Sequence, residues 1–291
     1  MSAPSISVVM PVYNGAAHLA QAIESVLAQT LPPARVVVVD DGSTDGSAAL
    51  LQRYGDRITR LSQTNHGQAH ARRTGADAAG GELIAFIDQD DVWDADKLAR
   101  QADLMQRFPD AGATYCDHRR IDADGRLLAT TGSGYGLRGS GRILDALLRG
   151  NFILSASLVM IRRSTYEAAG GFLPQRGFWA DDYSLWLRTA AHASIVYQAE
   201  TLVSYRQHAH NTSGDRYEQA RGDIQALEEP CAHLQSADMT QALPAARRAL
   251  RDARIGTAML ARQRGAGFSH TGTARRRRRL HRRLRLRSRG G

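Results

Sequence analysis

The chain has 291 residues, 43% hydrophobic and 23% charged, the composition of a soluble globular protein with a sizeable core. Its formal net charge is +9, yet ten arginines lie between Arg275 and Arg289, so the remainder of the chain sums to one negative charge and its basic character belongs to the tail. No apolar run approaches the roughly 20 residues of a membrane-spanning helix, Ile6 to Val12 has neither the basic leader nor the cleavage site of a signal peptide, and Cys116 and Cys231 are too few for a disulfide framework.

In chain order, Ile6 to Met10 reads as a buried strand broken by Asn14-Gly15. Leu19, Ala22, Ile23, Val26 and Leu27 then recur at the spacing of an amphipathic helix. Val36 to Val39 are four consecutive valines, apolar on both faces, as in a strand inside a parallel sheet. Asp40-Asp41-Gly42-Ser43 ends that strand, and Ser43 to Asp45 offer caps for a helix reaching about Tyr54. Ile58 to Leu61 reads as a third strand, Gln68 to Ala79 as a helix, Leu83 to Ile87 as a fourth strand and about Asp94 to Arg107 as a helix. This alternation predicts an α/β protein with a mostly parallel, Rossmann-like sheet flanked by helices. In such sheets ligands bind beyond the carboxyl ends of the strands.

Three of those ends carry binding side chains: Pro11, Tyr13 and Asn14; Asp40 and Asp41; and Asp88, Gln89, Asp90 and Asp91. Three carboxylates within the last four residues repel one another in a partly desolvated cleft. A hard cation such as Mg²⁺ or Mn²⁺ relieves that repulsion while binding phosphate oxygens. The competing expectation is that Asp90 or Asp94 caps the following helix. No P-loop and no G-x-G-x-x-G motif is present, which argues against a common NTPase or a dinucleotide site.

Farther on, Asp124-Gly125 suggests a hairpin, and Gly132 to Gly141, with five glycines, either a mobile loop beside the site or a plain surface loop. Asp181-Asp182 opens an apparent helix after the Gly170-Gly171-Phe172 turn, as a carboxylate pair offering either a general base or a cap. Tyr205-Arg206-Gln207-His208 makes His208 a candidate diphosphate or metal contact. Trp93 and Trp179 are candidate apolar faces for a ligand ring, whereas Trp186, among apolar neighbours, reads as core. Tyr217 to Leu234 and Ala245 to Arg262 read as a helical appendage, and Gly265 to Thr273 as a Gly/Ser/Thr linker before the arginine tail.

Six blocks, spread in order over about residues 5 to 215, resemble the signature of glycosyltransferase family 2. They are Val8-Val9-Met10-Pro11-Val12-Tyr13-Asn14; Val39 to Asp45; Asn65-His66-Gly67 through Ala71-Arg72-Arg73-Thr74-Gly75; Phe86 to Trp93; Asp181 to Trp186; and Tyr205-Arg206 through His208 to Ser213. The resemblance implies a GT-A fold with a C-terminal helical appendage, a nucleoside-diphosphate sugar donor, a UDP-sugar first among these, and inversion at the anomeric carbon. It sets Pro11, Tyr13, Asn14 and Asp40 against the nucleotide, with Arg72 nearby. It also gives Asp88 and Asp90 the D-x-D role toward ribose and metal, Asp90 and Asp91 the metal, Asp182 the catalytic base and His208 the diphosphate. Arg73, Asp181 and Ser184 depart from the usual asparagine, glutamate and aspartate.

The organisation expected is a transferase domain over 1–215, a helical appendage over 216–264, and a linker with a disordered arginine-rich tail over 265–291. The expected acceptor is a glycan or lipid-linked glycan of cell-envelope polysaccharide synthesis, and the expected location is cytoplasmic, peripheral at the inner face of the membrane. Arg275 to Arg289 would then lie against an anionic membrane surface. Two alternatives are a nucleotidyltransferase of the sugar-nucleotide pyrophosphorylase type, which should open with a glycine-rich basic loop after the first strand, and polyanion or nucleic-acid binding through the tail, which the acidic cleft argues against.

Overall fold

The computed structural model describes residues 4–131, 138–173, 180–208, 211, 216–236 and 243–265. The elements follow in the order β1 (Ile6–Val12), α1 (Leu19–Leu27), β2 (Arg35–Asp40), α2 (Ser47–Gln52), β3 (Thr59–Ser62), α3 (Gln68–Ala79), β4 (Leu83–Phe86), β5 (Val92–Trp93) and α4 (Lys97–Arg107). They continue with β6 (Ala111–Ile121), β7 (Leu127–Thr131), α5 (Leu144–Leu147), β8 (Val159–Arg162), α6 (Arg163–Ala168), α7 (Asp181–His192), β9 (Ser194–Arg206), α8 (Arg216–Ser236) and α9 (Leu243–Gly265). All strands join one sheet in the order β3-β2-β1-β4-β8-β6-β9-β5, with β7 paired to β6. β1 to β4 are mutually parallel, β6 is parallel to β9, and β8, β7 and β5 run against their neighbours. The expected mostly parallel α/β sheet is thus found, in a mixed form.

The valine-rich strands are inside because both faces are covered: Val8, Val9, Val37, Val38, Val39, Ile84 and Phe86 are fully buried. Helix α3 lies close on them through a glycine, since a Cβ at Gly75 would stand 2.4 Å from Val9 Cγ1 and 3.1 Å from Val39 Cγ2. Any larger residue there would push the helix off the sheet.

The second strand of the chain lies on one side of β1 and the fourth on the other, so the strand order reverses between β1 and β4. That is the switch point where an open α/β sheet forms its crevice. Pro11 helps to open it. Val9 pairs with Phe86, and the Ile87 amide donates to the Val9 carbonyl at 3.1 Å. The next rung would need an amide at residue 11, which proline lacks. The β1–β4 ladder stops there, and the chain after Ile87 is free to swing into the acidic loop.

Two helices begin later than the caps in the sequence suggest. Helix α2 starts at Ser47 because Ser43, Thr44 and Asp45 are bonded across to Asn14 and Ala16. Helix α4 starts at Lys97 because Val92–Trp93 pairs with β9, while the Asp94 carboxylate is held by both terminal nitrogens of Arg119. None of Asp88, Asp90, Asp91 or Asp94 therefore caps α4. The Asp124-Gly125 hairpin is present between β6 and β7, with the Asp122 carboxylate taking the amides of Asp124 and Arg126 and Gly125 at φ 85°. Residues 132–137 of the glycine-rich loop, Trp179 and the linker and tail after Gly265 lie outside the described residues. Helix α8 packs on α7 and on α9, and no helix among the described residues is long and apolar enough to cross a membrane.

Candidate active site

Three loops at the carboxyl ends of β1, β2 and β4 are knitted together by side chains. The Gln89 amide grips the Tyr13 backbone from both sides, Oε1 accepting the Tyr13 N–H at 2.8 Å and Nε2 donating to the Tyr13 carbonyl at 3.1 Å. Gly15 makes room for this clamp, since a Cβ there would meet Gln89 Oε1 at 2.4 Å. Asn14 adopts a left-handed φ of 50°, its amide donating to Ser43 Oγ at 3.0 Å and its Oδ1 accepting the Thr44 N–H at 2.8 Å. Asn tolerates that conformation better than most residues. Asp41 is buried and wholly occupied, accepting Gln63 Nε2 at 2.7 Å and the amides of His66 and Gly67 at 2.9 and 2.8 Å. Asp40, also buried, accepts the Ser43 amide at 2.9 Å through Oδ1. Above this scaffold the Tyr13 ring stands 46% exposed, the only large apolar face the three loops present to solvent among the described residues.

The acidic loop after β4 is the electrostatic centre. Arg72 of α3, 1% exposed, donates to Asp88 Oδ1 at 2.5 Å and to Asp181 Oδ2 at 2.8 Å, with its guanidinium 5.4 Å from the Phe172 ring centroid. Asp88 is held further by Ser155 Oγ at 3.3 Å, and its amide donates to Ser157 Oγ at 2.9 Å. One buried cation thus joins the loop after β4 to the acidic start of α7. Removing a partner from such a buried pair costs about 3–5 kcal/mol, because the remaining charge stays buried.

Asp90 Oδ2 lies 2.9 Å from His208 Nε2, and the His208 ring stacks on His18 with centroids 5.3 Å apart. Burial and the charge of Asp88 push the Asp90 carboxyl above its ordinary pKa, against the pull of His208. Asp91, 1% exposed, accepts the Arg206 amide at 3.0 Å through Oδ1, while Oδ2 has no hydrogen-bond partner among the described residues. Burial, then Asp90 and Asp88, raise Asp91 well above the usual carboxylate range. An orphaned buried carboxylate oxygen beside two further carboxylates fits a hard divalent cation. Among the described residues no three His, Cys, Asp or Glu side chains converge as a ready cage.

Asp181 and Asp182 occupy the first turn of α7 without capping it: Ala180 is the N-cap and no side-chain cap bond forms. Asp181 is the buried partner of Arg72. Asp182 is partly exposed, and its Oδ1 accepts the Tyr183 amide at 2.7 Å. Burial and then the Asp181 charge lift its pKa to about 8, with Arg72 and the Tyr183 amide opposing and Asp88 adding to the rise. A carboxyl placed between protonation states near neutral pH is suited to proton transfer.

The structure gives the sequence-predicted residues definite places. Pro11 is buried within β1, where it ends the ladder to β4. Asn14 braces two loops, and Arg72 holds the carboxylates of Asp88 and Asp181. Trp93 is no sugar platform: it is 3% exposed, its Nε1 donates to the Ser157 carbonyl at 3.0 Å, and the buried Lys97 ammonium sits 3.8 Å above its ring. Trp186 is fully buried, as its apolar neighbours suggest. Arg73 reaches the carbonyls of Gly170 and Phe172 at 3.0 and 3.2 Å, and so ties α3 to the turn before α7.

Arg206 is the residue whose importance the sequence concealed. Its guanidinium, buried at the end of β9, donates to the carbonyls of Asp90, Asp122 and Ala123 at 2.8, 3.2 and 3.0 Å, and to Gln21 Oε1 at 2.5 Å. It straps the acidic loop to α1 and to the β6–β7 hairpin.

Known proteins share this sequence and architecture. A glycosyltransferase of Nostoc sp. described as uncharacterized is 35% identical over 214 residues, 71% of this chain and 66% of its own length. One from Rickettsia prowazekii, described likewise, is 27% identical over 223 residues, 72% of this chain and 66% of its own. The chain therefore spans just under two thirds of these relatives. The putative teichuronic acid biosynthesis glycosyltransferase TuaG of Bacillus subtilis is 38% identical over 106 residues, 35% of this chain and 42% of its own. Among solved structures, S. aureus TarS 1–349 in complex with UDP-GlcNAc superposes with a TM-score of 0.62 at 17% identity, covering 79% of this chain and 66% of that one. The mannosyltransferase PcManGT of Pyrobaculum calidifontis, in complex with GDP-Man and Mn²⁺, does so with a TM-score of 0.58 at 22% identity, covering 91% and 81%. These likenesses establish the GT-A-type fold. The family model described as glycosyl transferase family 2 matches residues 7–170, more than half of the sequence and the part that builds β1 to β4 and the acidic loop, and the chain belongs to that family.

Proposed function

We propose that the chain transfers a sugar from a nucleoside-diphosphate sugar, a UDP-sugar first among these, to an acceptor hydroxyl with inversion of the anomeric carbon. The observation that carries this reading is the Arg72 bridge, which holds Asp88 of the donor-side loop and Asp181 of the α7 acidic pair on one guanidinium. Donor and acceptor chemistry then meet in one cleft.

The division of labour follows from what each group is free to do. Tyr13 offers its exposed ring to the base, and Asp40, with one oxygen committed to Ser43, offers the other. Asp88 faces the ribose side, and His208, close to Asp90, faces the diphosphate. Asp90 and Asp91 are the residues that would hold Mg²⁺ or Mn²⁺, which when bound neutralises charge on the departing nucleoside diphosphate. Asp182 accepts the acceptor's proton as the hydroxyl oxygen bonds to the anomeric carbon. The carbon–phosphate-oxygen bond breaks on the opposite side, with its electron pair leaving on the diphosphate. A single carboxylate base is enough because a nucleoside diphosphate, unlike an alkoxide, departs without a general acid.

The bodies 1–215, 216–264 and 265–291 are taken as catalytic domain, helical appendage and tail. We place the acceptor among glycans or lipid-linked glycans of the cell envelope, in keeping with the teichuronic acid biosynthesis ascribed to TuaG, and the protein at the cytoplasmic face of a membrane. A pyrophosphorylase-type nucleotidyltransferase fits less well, because the loop after β1 carries Tyr13 and Asn14 rather than a glycine-rich basic segment.

A donor panel tests the class. Incubated with UDP-, GDP- and TDP-sugars and Mn²⁺, the protein is expected to release nucleoside diphosphate from one group of donors, and chelator should stop the release. Release of inorganic pyrophosphate from a nucleoside triphosphate and a sugar phosphate instead would identify the nucleotidyltransferase.

A further inference from the structure

We propose that the outer face of α9 is a docking surface for an anionic lipid bilayer. The inner face of this helix is settled by small residues: Ala246 is fully buried, Ala249 and Ala253 pack against the core, and Thr257 Oγ1 donates to the Ala220 carbonyl of α8 at 3.3 Å. With that stripe turned to α8, the opposite stripe is committed outward. It presents Ile255 and Met259, each 51% exposed, beside exposed Arg247, Arg248 and Arg251, with Asp252 3.8 Å from Arg251 on the same side and the flanking Arg254 paired with Glu228 of α8 at 2.7 Å. Single apolar side chains on a surface are ordinary. Here two of the five exposed large apolar side chains among the described residues lie one helical turn apart inside a belt of arginines.

The chemistry of that stripe selects its occupant. A nucleic acid would answer the arginines but leave Ile255 and Met259 without an apolar partner. A second copy of the helix would set arginine against arginine. An anionic bilayer answers both, with headgroup phosphates for the guanidiniums and the acyl boundary for the two apolar side chains. Charge continues in the same sense beyond the helix, because the ten arginines from Arg275 to Arg289 follow it in sequence. Like charge also argues against that tail folding back over the α9 face. Helix α8 connects this face to α7, whose first turn carries Asp181 and Asp182. Docking stands whether or not the transferase reading does; with it, the cleft would work beside a lipid-linked acceptor.

Vesicle cosedimentation of the full chain at physiological ionic strength tests the proposal. The protein should bind phosphatidylglycerol vesicles and ignore phosphatidylcholine vesicles. Ile255→Glu with Met259→Glu should lower the phosphatidylglycerol partition by about tenfold or more. Ile255→Leu with Met259→Leu should leave it in place. A chain truncated after residue 274 should bind more weakly, and the same glutamate pair should weaken it further. If the glutamates lower the melting temperature, the serine pair at both positions reads the same face. Unchanged partition of the glutamate or serine variants, with and without the tail, would overturn the proposal. Binding to single-stranded or duplex DNA with the same variant dependence and no vesicle binding would overturn it in favour of nucleic acid. A dimer that the glutamates dissociate without altering sedimentation would assign the face to a second copy.

Discussion

Asp182→Asn should lower kcat by about 10²–10⁴, the usual contribution of a positioned general base, while affinity for the nucleoside diphosphate stays essentially unchanged. The asparagine keeps the shape and the hydrogen bond from the Tyr183 amide but cannot take a proton. In the parent enzyme kcat/KM should climb as pH rises toward about 8, because burial and the neighbouring Asp181 hold Asp182 protonated below that value. The variant should lose that limb. Stability moves the other way. The folded pKa lies above the unfolded value of about 3.9, so the stability Asp182 supports is complete at low pH and is lost as pH rises between about 4 and 8. Removing the ionisable group should therefore lessen the fall of the melting temperature across that window, leaving the part that Asp90, Asp91 and Asp223, also raised, contribute. A variant that loses nucleotide affinity as steeply as rate would show that Asp182 serves the donor site or the fold.

Asp90→Asn should bring transfer down by about 10²–10³, the usual cost of deleting one electrostatic stabiliser of transition-state charge. Mn²⁺ should cease to strengthen nucleotide binding. The fold should persist, because Asp90 has no tie to Arg72 and its backbone carbonyl, held by Arg206, is untouched. Circular dichroism, titration calorimetry with UDP in the presence and absence of Mn²⁺, and a donor-turnover assay separate these effects. Near-normal, Mn²⁺-stimulated transfer by this variant would remove Asp90 from the metal site.

The sheet was readable because its signal is local. Four adjacent valines, the 12-residue helix over Gln68–Ala79 and the acids at the strand ends each declare themselves within a short window. What the sequence could not show is how each polar side chain is used, since partners lie far apart along the chain. Arg72 finds Asp181 across 109 residues and Arg206 finds Asp90 across 116. Asp40 and Asp41 are adjacent and chemically identical, yet Asp41 is consumed by two amides and Gln63, while Asp40 commits only Oδ1, to the Ser43 amide, among the described residues. Trp93 beside an acidic loop suggests a sugar platform until β5 is seen to pair with β9, which turns the indole inward over Lys97. Gln89, at the variable centre of the D-x-D pattern, gives no hint in sequence that it clamps Tyr13. A proline in a strand signals an edge or an irregularity; that Pro11 ends one particular ladder needs the register.

On the proposed function, one cleft binds a nucleoside diphosphate through the acidic loop with the help of a divalent cation. Thermal denaturation of the full chain with UDP, GDP or TDP, each with and without Mn²⁺, measures this directly, since a ligand of the folded state stabilises by RT ln(1 + [L]/Kd). The melting temperature should rise with one of these nucleotides, by more when Mn²⁺ is present, and that Mn²⁺-dependent increment should vanish in Asp90→Asn. No rise with any of the three, or an increment that Asp90→Asn retains in full, would contradict the claim.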